Sequence, residues 1–275
     1  MLQQLELVRR RPNLEVFAET LLGLAQEDRN VVVVTSDSRG SGKLAPFANA
    51  LPSQLIEVGI AEQNLVGVAA GLASAGKIPF AVSPACFLTA RALEQIKNDV
   101  CYSDNPVKLI GISAGVSYGA LGSTHHSLHD LAALRAINNI DVVAPADNYE
   151  AAEAIRAAAR QTRPIYIRFG KAPMVDLPRS SAPFQIGRAR VLRDGADLAF
   201  LATGETVIHA LLAAAALGAE GIEARVLSLP AVKPLDESAV LEAARQCQAV
   251  VTVEEHLVHG GLGDACARLI LESGF

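Results

Sequence analysis

The sequence predicts an α/β protein in which a parallel β-sheet flanked by helices is followed by a second, smaller α/β domain. Hydrophobic residues make up 51% of the 275 residues, enough for a sizeable buried core. Only 4% are aromatic and tryptophan is absent, which suits α/β layers better than an aromatic-rich β-sandwich. Short Val- and Ile-rich runs alternate with longer Ala- and Leu-rich stretches, the pattern of successive strand–helix–strand units.

The first sheet is predicted from short apolar runs, which are "NVVVVTSDS", "IPFAVS", "PVKLIGIS", "NIDVVAPAD" and "RPIYIRFG". Strands that are apolar on both faces fit a parallel sheet covered by helices on both sides. Ligands of such sheets gather at the carboxyl ends of the strands. The polar residues that end these runs are therefore the first candidates for a site, namely Asp37, Ser83, Ser113, Asp147 and Arg168.

A segment with several Pro and Ser residues, from Gly170 to Gly187, interrupts the pattern. We predict a first domain over residues 1–172, a linker over 173–186 and a second domain over 187–275. The second domain contains "DLAFLATG", "IEARVLSLP" and "QAVVTVEE", each followed by a helical segment. One more strand is expected after the last of these helical segments, so we expect the chain to be truncated at its C-terminus.

Composition excludes several classes of protein. The net charge of −5 provides no basic patch for nucleic acid. The cysteines are scattered without a C-x-x-C pair, so neither a zinc knuckle nor a disulfide framework is indicated. No apolar run reaches the roughly 20 residues of a membrane span, and the first residues do not resemble a signal peptide. We expect a soluble, cytoplasmic protein.

Glu62 lies within the apolar stretch "VGIAEQNLVGVAAGLASAG", in the first turn of a helix predicted to run to about Ala75. One interpretation is that this carboxylate only complements the helix dipole. The other is that the helix is apolar nearly all round, so Glu62 is buried, where desolvation favours a neutral carboxyl that can donate a hydrogen bond.

The stretch "YGALGSTHHSLHD", Tyr118 to Asp130, is rich first in glycine and then in histidine. Ser127 and Asp130 resemble a capping box that begins the helix "LHDLAALRAI". That helix start leaves His125 and His126 in the preceding loop, at the end of a predicted strand. Their spacing fits no metal motif, so no metal site is predicted, and acid/base work or hydroxyl recognition is favoured.

Two further candidates depend on their surroundings. Arg168 ends a strand, where its guanidinium suits a phosphate or another oxyanion but equally a surface carboxylate. The loop "TSDSRGSGK" is neither a P-loop nor a dinucleotide fingerprint. It is either an ordinary loop or one that meets a ligand with Asp37 and Ser41.

Taken in order, the motifs resemble the second half of transketolase and its thiamine-diphosphate relatives. They are "SDSRGS", "VGIAEQN", "ACFLTARALEQIKNDV", "GSTHH", "APADNYEA", "IYIRFGK" and "VVTVEEHLVHGGLG". The resemblance covers essentially the whole chain, and it implies a pyrimidine-binding domain of the thiamine-diphosphate fold followed by the transketolase C-terminal domain.

The resemblance implies a role for each matching residue. In that family a glutamate hydrogen-bonds the cofactor's aminopyrimidine and favours the imino tautomer that removes the thiazolium proton; Glu62 matches it. Phe87 matches a phenylalanine that stacks on the pyrimidine, and Asp37 a supporting aspartate. His125 matches a histidine that contacts reacting hydroxyls and helps to move protons.

The substrate residues match only in part. Ser41 and Arg168 match positions that hold the sugar phosphate. Leu121 stands where the family has an acidic residue, and His126 where glutamine is usual. Ser113 replaces a further histidine at a strand end. Cofactor activation is therefore expected to be intact, while the ordinary pentose phosphate preference is in doubt.

The family's G-D-G motif with a downstream asparagine, which holds the diphosphate and Mg²⁺, does not occur in this sequence. The resemblance therefore implies a small subunit of a split transketolase, which needs a separate diphosphate-binding subunit in an α2β2 assembly. The segment "EEHLVHGGLG" matches a region that mainly supports subunit contacts, so His256 and His259 are given structural roles.

Three functions remain open at this point. The first is transfer of a two-carbon ketol unit from a ketose phosphate, or another anionic sugar such as a sulfonate, to an aldose. The second is the beta subunit of a 2-oxoacid dehydrogenase, which "RALEQIKNDV" also resembles. The third is a non-catalytic paralogue that binds a partner. Ser41 and Arg168 favour the first over the second, and Glu62, Phe87 and His125 together argue against the third.

Overall fold

The strands of the described residues form three sheets. The computed structural model describes residues 9–178 and 183–274, so part of the predicted linker and the two chain ends lie outside the described residues. The strands are β1 (Arg9–Pro12), β2 (Val31–Thr35), β3 (Leu55–Glu57), β4 (Ile78–Pro84), β5 (Lys108–Ile112), β6 (Asp141–Val143), β7 (Ile165–Phe169), β8 (Pro173–Val175), β9 (Arg190–Arg193), β10 (Leu198–Ala202), β11 (Ala224–Ser228), β12 (Ala231–Lys233) and β13 (Ala249–Val253).

Helices follow most of these strands. They are α1 (Asn13–Glu27), α2 (Ala45–Ala50), α3 (Glu62–Ser74), α4 (Ala85–Arg91), α5 (Leu93–Gln95), α6 (Asp130–Arg135), α7 (Asn148–Arg160), α8 (Val207–Ala219), α9 (Glu237–Gln246) and α10 (Leu262–Glu272). A π-helical segment, Ile96–Tyr102, continues α5. None of the described helices combines the length and the apolar composition needed to cross a membrane.

The seven-stranded sheet has the order β12-β6-β7-β5-β4-β2-β3. All neighbouring pairs are parallel except β12 with β6, so the predicted parallel sheet is confirmed. Its carboxyl ends therefore meet at one edge, and β2, β4, β5 and β7 lie side by side there. This edge is where the candidate residues converge.

Alternate strand residues supply two separate cores, one on each face of this sheet. Val34 packs with α3 and α4, whereas its neighbour Val33 packs with α1 and α7. Every residue of β2, β5 and β7 is buried. The two-sided burial explains why these strands are mainly apolar on both faces rather than alternating, with Thr35, Lys108 and Arg168 as buried polar exceptions.

The second sheet has the order β13-β10-β11-β9, in which β9 is antiparallel to β11. The α/β class of this part is confirmed. Three features were not predicted. They are the edge strand β9, the pair β1–β8, which places β8 within the predicted linker, and β12, which leaves the second part of the chain to join the first sheet.

The predicted capping box at the start of α6 is wrong. The N-cap residue His129 makes no side-chain capping bond, and the buried Ser127 hydroxyl has no hydrogen-bond partner among the described residues. Nε2 of His256, from the C-terminal part of the chain, accepts from the Ala132 N–H in the first turn at 3.4 Å. The reason is tertiary: the Asp130 carboxylate accepts hydrogen bonds from the Tyr166 hydroxyl at 2.7 Å and from Arg168 at 2.9 Å. Its oxygens are therefore used mainly across the sheet edge, and one of them also accepts from the Leu131 N–H at 2.9 Å.

Candidate active site

Glu62 begins α3 at the carboxyl edge of the parallel sheet. Its side chain is only 4% exposed, as the apolar helix predicted. It borders an open groove of about 610 Å³, whose lining comprises Ile60, Ala61, Glu62, Gln63, Asn64 and Arg91. A buried carboxylate at the wall of an accessible groove can act on a ligand that enters it.

Arg91 contacts both Glu62 and Phe87. One terminal nitrogen of Arg91 donates to both carboxylate oxygens of Glu62, each at 3.1 Å. The guanidinium carbon also lies 4.1 Å from the centre of the Phe87 ring. The sequence suggested a carboxyl that donates a hydrogen bond at Glu62, whereas in this structure both of its oxygens accept from a guanidinium.

His125 also contacts Phe87. Its ring packs edge-on against Phe87 and against Tyr118, with both centroid distances 5.2 Å. The Thr124 hydroxyl lies 2.9 Å from Nδ1, which leaves Nε2 as the nitrogen available to a ligand. The structure therefore brings Phe87 and His125 together, as the motifs implied.

Lys171 follows β7 and extends this set of contacts. Its ammonium lies 3.8 Å from the centre of the Tyr118 ring, on the same ring that packs against His125. Partial burial and the nearby Lys43 ammonium lower the pKa of Lys171. The exposed Lys171 ammonium, on the ring that packs against His125, therefore favours an anion at this end of the site.

These contacts form a continuous line across the sheet edge, which we term the contact row. Its members, each touching the next, are Glu62, Arg91, Phe87, His125, Tyr118 and Lys171. A carboxylate thus stands at one end and an ammonium group at the other, with aromatic and imidazole rings between them.

Arg168 is placed differently from the expectation that it meets an anionic ligand. It is 8% exposed, and its terminal nitrogens donate to the Asp130 carboxylate at 2.9 Å and to the Glu255 carbonyl at 3.2 Å. Burial alone would lower the pKa of Arg168, but the Asp130 carboxylate raises it. The guanidinium is committed to protein acceptors beneath the site, and Lys171 is the exposed cation at this strand end.

Asp37 and Ser41 lie in the loop after β2. Asp37 is exposed in a left-handed conformation with φ of +50°, and its N–H donates to Glu57 at 2.7 Å. The Ser41 hydroxyl donates to the Ser38 carbonyl at 3.2 Å. Strained backbone at a strand end is often associated with function. The contacts of both side chains are local, and neither joins the contact row.

The remaining residues of the histidine-rich stretch are held within their own loop. Nε2 of His126 donates to the Gly119 carbonyl at 3.0 Å. Leu121, where the family has an acidic residue, is exposed, whereas Ser113 is fully buried with φ of +55°. His125 is thus the histidine of this loop with a ring nitrogen available beside Phe87.

Metal-binding groups are not evident in the described part of the chain. No cluster of three or more His, Cys, Asp or Glu side chains there is arranged to hold a metal ion. The four cysteines are buried thiols that make no disulfide. Burial raises the pKa of Cys86, which precedes Phe87, to about 11, so this thiol is protonated at neutral pH.

Sequence reasoning missed Arg91, Tyr118 and Lys171. Arg91 follows Phe87 by four residues in one helix, a spacing that places two side chains on the same face. Lys171 follows the predicted strand "IYIRFG" directly. These positions can be read from the sequence, but the ring contacts that identify Arg91, Tyr118 and Lys171 as site residues form only in the folded chain.

The fold and the site define an α/β enzyme subunit whose ligand site lies at the carboxyl edge of a parallel sheet. Two family descriptions match the chain, the transketolase pyrimidine-binding domain at residues 12–174 and the transketolase C-terminal domain at residues 187–275.

Three similar proteins illustrate the relationship. The chain is 46% identical over 258 residues, 94% of this chain and 83% of the relative, to a subunit of apulose-4-phosphate transketolase from Phocaeicola vulgatus. It is 38% identical over 259 residues, 94% and 80% of the two chains, to the SqwH subunit of 6-deoxy-6-sulfo-D-fructose transketolase from Clostridium sp.. A solved structure described as a split gene transketolase, inactive β4 tetramer, superposes with a TM-score of 0.88 at 40% identity, over 96% of this chain and 86% of that one.

The chain belongs to the transketolase family, whose members depend on thiamine diphosphate. Within that family it is the small subunit of a split transketolase, a transferase, as the motifs implied. This relationship favours the transketolase interpretation over the beta subunit of a 2-oxoacid dehydrogenase and over a non-catalytic paralogue.

Proposed function

We propose that this chain, in the cytoplasm and together with a diphosphate-binding subunit, transfers a two-carbon ketol unit from an anionic ketose to an aldose. The observation that carries the proposal is the contact row, which ends in a buried carboxylate at Glu62 and an ammonium group at Lys171. One end suits a cofactor ring and the other suits a phosphate or sulfonate.

The residues present fit the aminopyrimidine half of thiamine diphosphate. A heteroaromatic ring needs a carboxyl group for its ring nitrogen and an apolar face to pack against. Glu62 is 4% exposed, and the half-buried Phe87 lies close enough for one arginine to touch both. We propose that Glu62 hydrogen-bonds the ring nitrogen, that Phe87 packs on the ring, and that Asp37 supports the site from the end of β2.

When bound, thiamine diphosphate supplies the carbon nucleophile that cleaves the bond beside the donor ketone. The residues of this chain orient the reactants and move protons around that step. His125 is proposed to exchange a proton with a reacting hydroxyl through Nε2, since Thr124 occupies Nδ1. His126 is proposed to line the same side of the site. Its Nε2 is already held by the loop.

The anionic end of the substrate is assigned to Lys171, together with Ser41 in the loop after β2. The exposed Lys171 ammonium lies over Tyr118, on the ring that packs against His125, which supports an anion at this end of the contact row. Arg168 is proposed to stabilise the base of the site through its hydrogen bonds to Asp130 and Glu255, without contacting the substrate. Two relatives are named for a sugar phosphate and a sulfonated sugar, which agrees with an anionic substrate.

The diphosphate and Mg²⁺ are proposed to lie in the partner subunit. The sequence of this chain lacks the G-D-G motif that carries that function in the family. We further propose an α2β2 heterotetramer, since a relative is described as a β4 tetramer and β subunits can therefore associate.

Reconstitution tests this function. The chain is mixed with the diphosphate-binding subunit of a split transketolase, thiamine diphosphate and Mg²⁺, and phosphorylated and sulfonated ketoses are offered with an aldose acceptor. Ketol transfer by the mixture and none by either subunit alone is expected. Decarboxylation of 2-oxoacids without ketol transfer would overturn the proposal in favour of the dehydrogenase class.

A further inference from the structure

The loop that carries Tyr118 and His125 is closed at its base. Gly115 and Ser127 form an antiparallel bridge, in which the Gly115 N–H donates to the Ser127 carbonyl at 3.2 Å and the Ser127 N–H donates to the Gly115 carbonyl at 2.8 Å. We call residues 115–127 the histidine loop. Because its two ends are tied to each other, whatever holds the base also sets where both rings lie.

Glu255, from the C-terminal part of the chain just after β13, contacts this base directly. One carboxylate oxygen accepts a hydrogen bond from the Val116 N–H at 3.1 Å. The same carboxylate lies against Gly115, where a Cβ would collide with it. Gly115 also has φ of +62°, so the position needs glycine both for its backbone and for the approach of Glu255.

The negative charge of Glu255 is balanced by Arg168. The Arg168 guanidinium donates to the Glu255 carbonyl at 3.2 Å and lies 3.9 Å from its carboxylate. Arg168 also pairs at 2.9 Å with Asp130, the first residue of α6, which follows the histidine loop. The carboxylate is 28% exposed, so its contacts are only partly screened by solvent.

The same segment also holds the chain just after the loop. The Leu257 N–H donates to the Leu128 carbonyl at 3.0 Å. Residues 255 and 257 therefore contact the residues on both sides of the Gly115–Ser127 bridge, one through a side chain and the other through its backbone.

Glu254 provides an internal comparison because its carboxylate contacts a different part of the chain. It accepts from the Leu262 N–H at 2.7 Å and the Gly263 N–H at 2.8 Å, at the start of α10. The two adjacent glutamates thus contact different parts of the chain. Glu254 caps a helix of the C-terminal part, and Glu255 reaches across to the candidate active site.

We propose that Glu255 is a positioning residue for ketol transfer, which fixes the histidine loop so that His125 and Tyr118 face the substrate. The proposal rests on the proposed function only for the role of His125. It assigns the C-terminal domain a part in forming the substrate site, in addition to subunit contacts. Without the carboxylate, the Val116 N–H loses its acceptor and Arg168 loses a balancing charge.

Hydrogen exchange on the full chain tests the structural step without any activity. Glu255→Ala is expected to speed amide exchange across residues 115–127, whereas Glu254→Ala is expected to speed exchange in residues 262–272 instead. Glu255→Gln, which keeps an oxygen acceptor, is expected to restore slow exchange in the loop. Unchanged exchange of the loop in Glu255→Ala, or an equal loosening of the loop in Glu254→Ala, would overturn the proposal.

Kinetics of the reconstituted complex test the functional step. Loss of an acceptor for a backbone donor predicts that Glu255→Ala lowers kcat/KM by about tenfold or more, with most of the activity regained in Glu255→Gln. The loss is expected to shrink in a His125→Ala background, because a positioning residue has nothing left to position. Additive losses would show that Glu255 acts independently of His125 and would reject the inference. A wild-type complex with no ketol transfer would instead reject the proposed function and leave the exchange result standing.

Discussion

The Arg91 guanidinium lies 3.1 Å from each carboxylate oxygen of Glu62 and 4.1 Å from the centre of the Phe87 ring. These are the two groups that the proposed function assigns to the cofactor's aminopyrimidine. The Arg91 side chain is 49% exposed, so it has room to move towards solvent. A cofactor ring bound as proposed would share or replace the contacts that Arg91 makes with Glu62 and Phe87.

Arg91→Met is expected to tighten cofactor binding, because methionine keeps a side chain of similar shape but removes the charged contact with Glu62 that competes with the cofactor. That contact is worth roughly 1 kcal/mol, or about fivefold in concentration. The measurement is the half-saturating concentration of thiamine diphosphate in the reconstituted complex. Arg160→Met, at an exposed arginine in the last turn of α7, is the matched control and should leave that concentration unchanged. Weaker binding in Arg91→Met would show that Arg91 supports the cofactor instead.

Glu62→Ala is expected to lower kcat by about 10³-fold, within the range for loss of a positioned acid–base group. The fold should survive, since the ion-pair partner Arg91 is half-exposed and can be solvated. Turnover of the complex is measured together with the thermal midpoint of the free chain. Glu237→Ala, at an exposed glutamate in the first turn of α9, is the matched control. Activity that persists in Glu62→Ala would reject the assigned role.

Lys171→Met is expected to raise KM for a phosphorylated donor by about tenfold, equivalent to roughly 1.4 kcal/mol, with kcat little changed. The reason is loss of the exposed cation that lies over Tyr118 beside His125. Lys97→Met, at an exposed lysine of the π-helical segment, serves as the control. An unchanged KM would contradict the assignment of Lys171 to the anionic end.

Arg168→Met should behave differently, because Arg168 is buried and paired with Asp130. Leaving that carboxylate without its partner is expected to cost about 3–5 kcal/mol of unfolding free energy. Denaturant unfolding of the free chain measures it, with Lys171→Met as the comparison that should lose little. A stable Arg168→Met chain with a raised KM would indicate that Arg168 contacts the substrate.

Stability is expected to depend on pH through Glu205, which lies close to Glu255 and packs against Gly170. Burial, and then the neighbouring carboxylate, raise the pKa of Glu205 from 4.5 to about 7. The folded chain therefore holds a proton that the unfolded chain releases. The stability that this proton provides is complete below about pH 4.5 and is lost as the pH rises through about 7.

Glu205→Gln removes this dependence. At pH 8 the variant should be more stable than the wild type by about 1–3 kcal/mol, and at pH 5 nearly equal to it. Thermal unfolding at the two pH values measures the difference, with Glu220→Gln at an exposed position as the control. A wild type that is as stable as the variant at pH 8 would contradict the raised pKa.

Sequence patterns predicted most of the fold because the central strands of the large sheet are buried on both faces and are therefore mainly apolar. β2, β5 and β7 are of this kind. The strands that were missed are short and lie at edges or outside the main sheets, as β9 and β12 do. Their pairing depends on a partner distant in sequence, so no local pattern marks them.

Motifs alone identified the family, and with it Glu62, Phe87 and His125 as candidates, since their residue types and spacing along the chain match the family's motifs. Tertiary structure decided the contacts of each side chain. It buried Arg168 against Asp130 and left Lys171 exposed three residues later. It also brought Glu255 to the base of the histidine loop, 139 residues from Val116. Residue types follow from local chemistry, whereas charge pairing, burial and approach across the chain exist only once distant segments pack together.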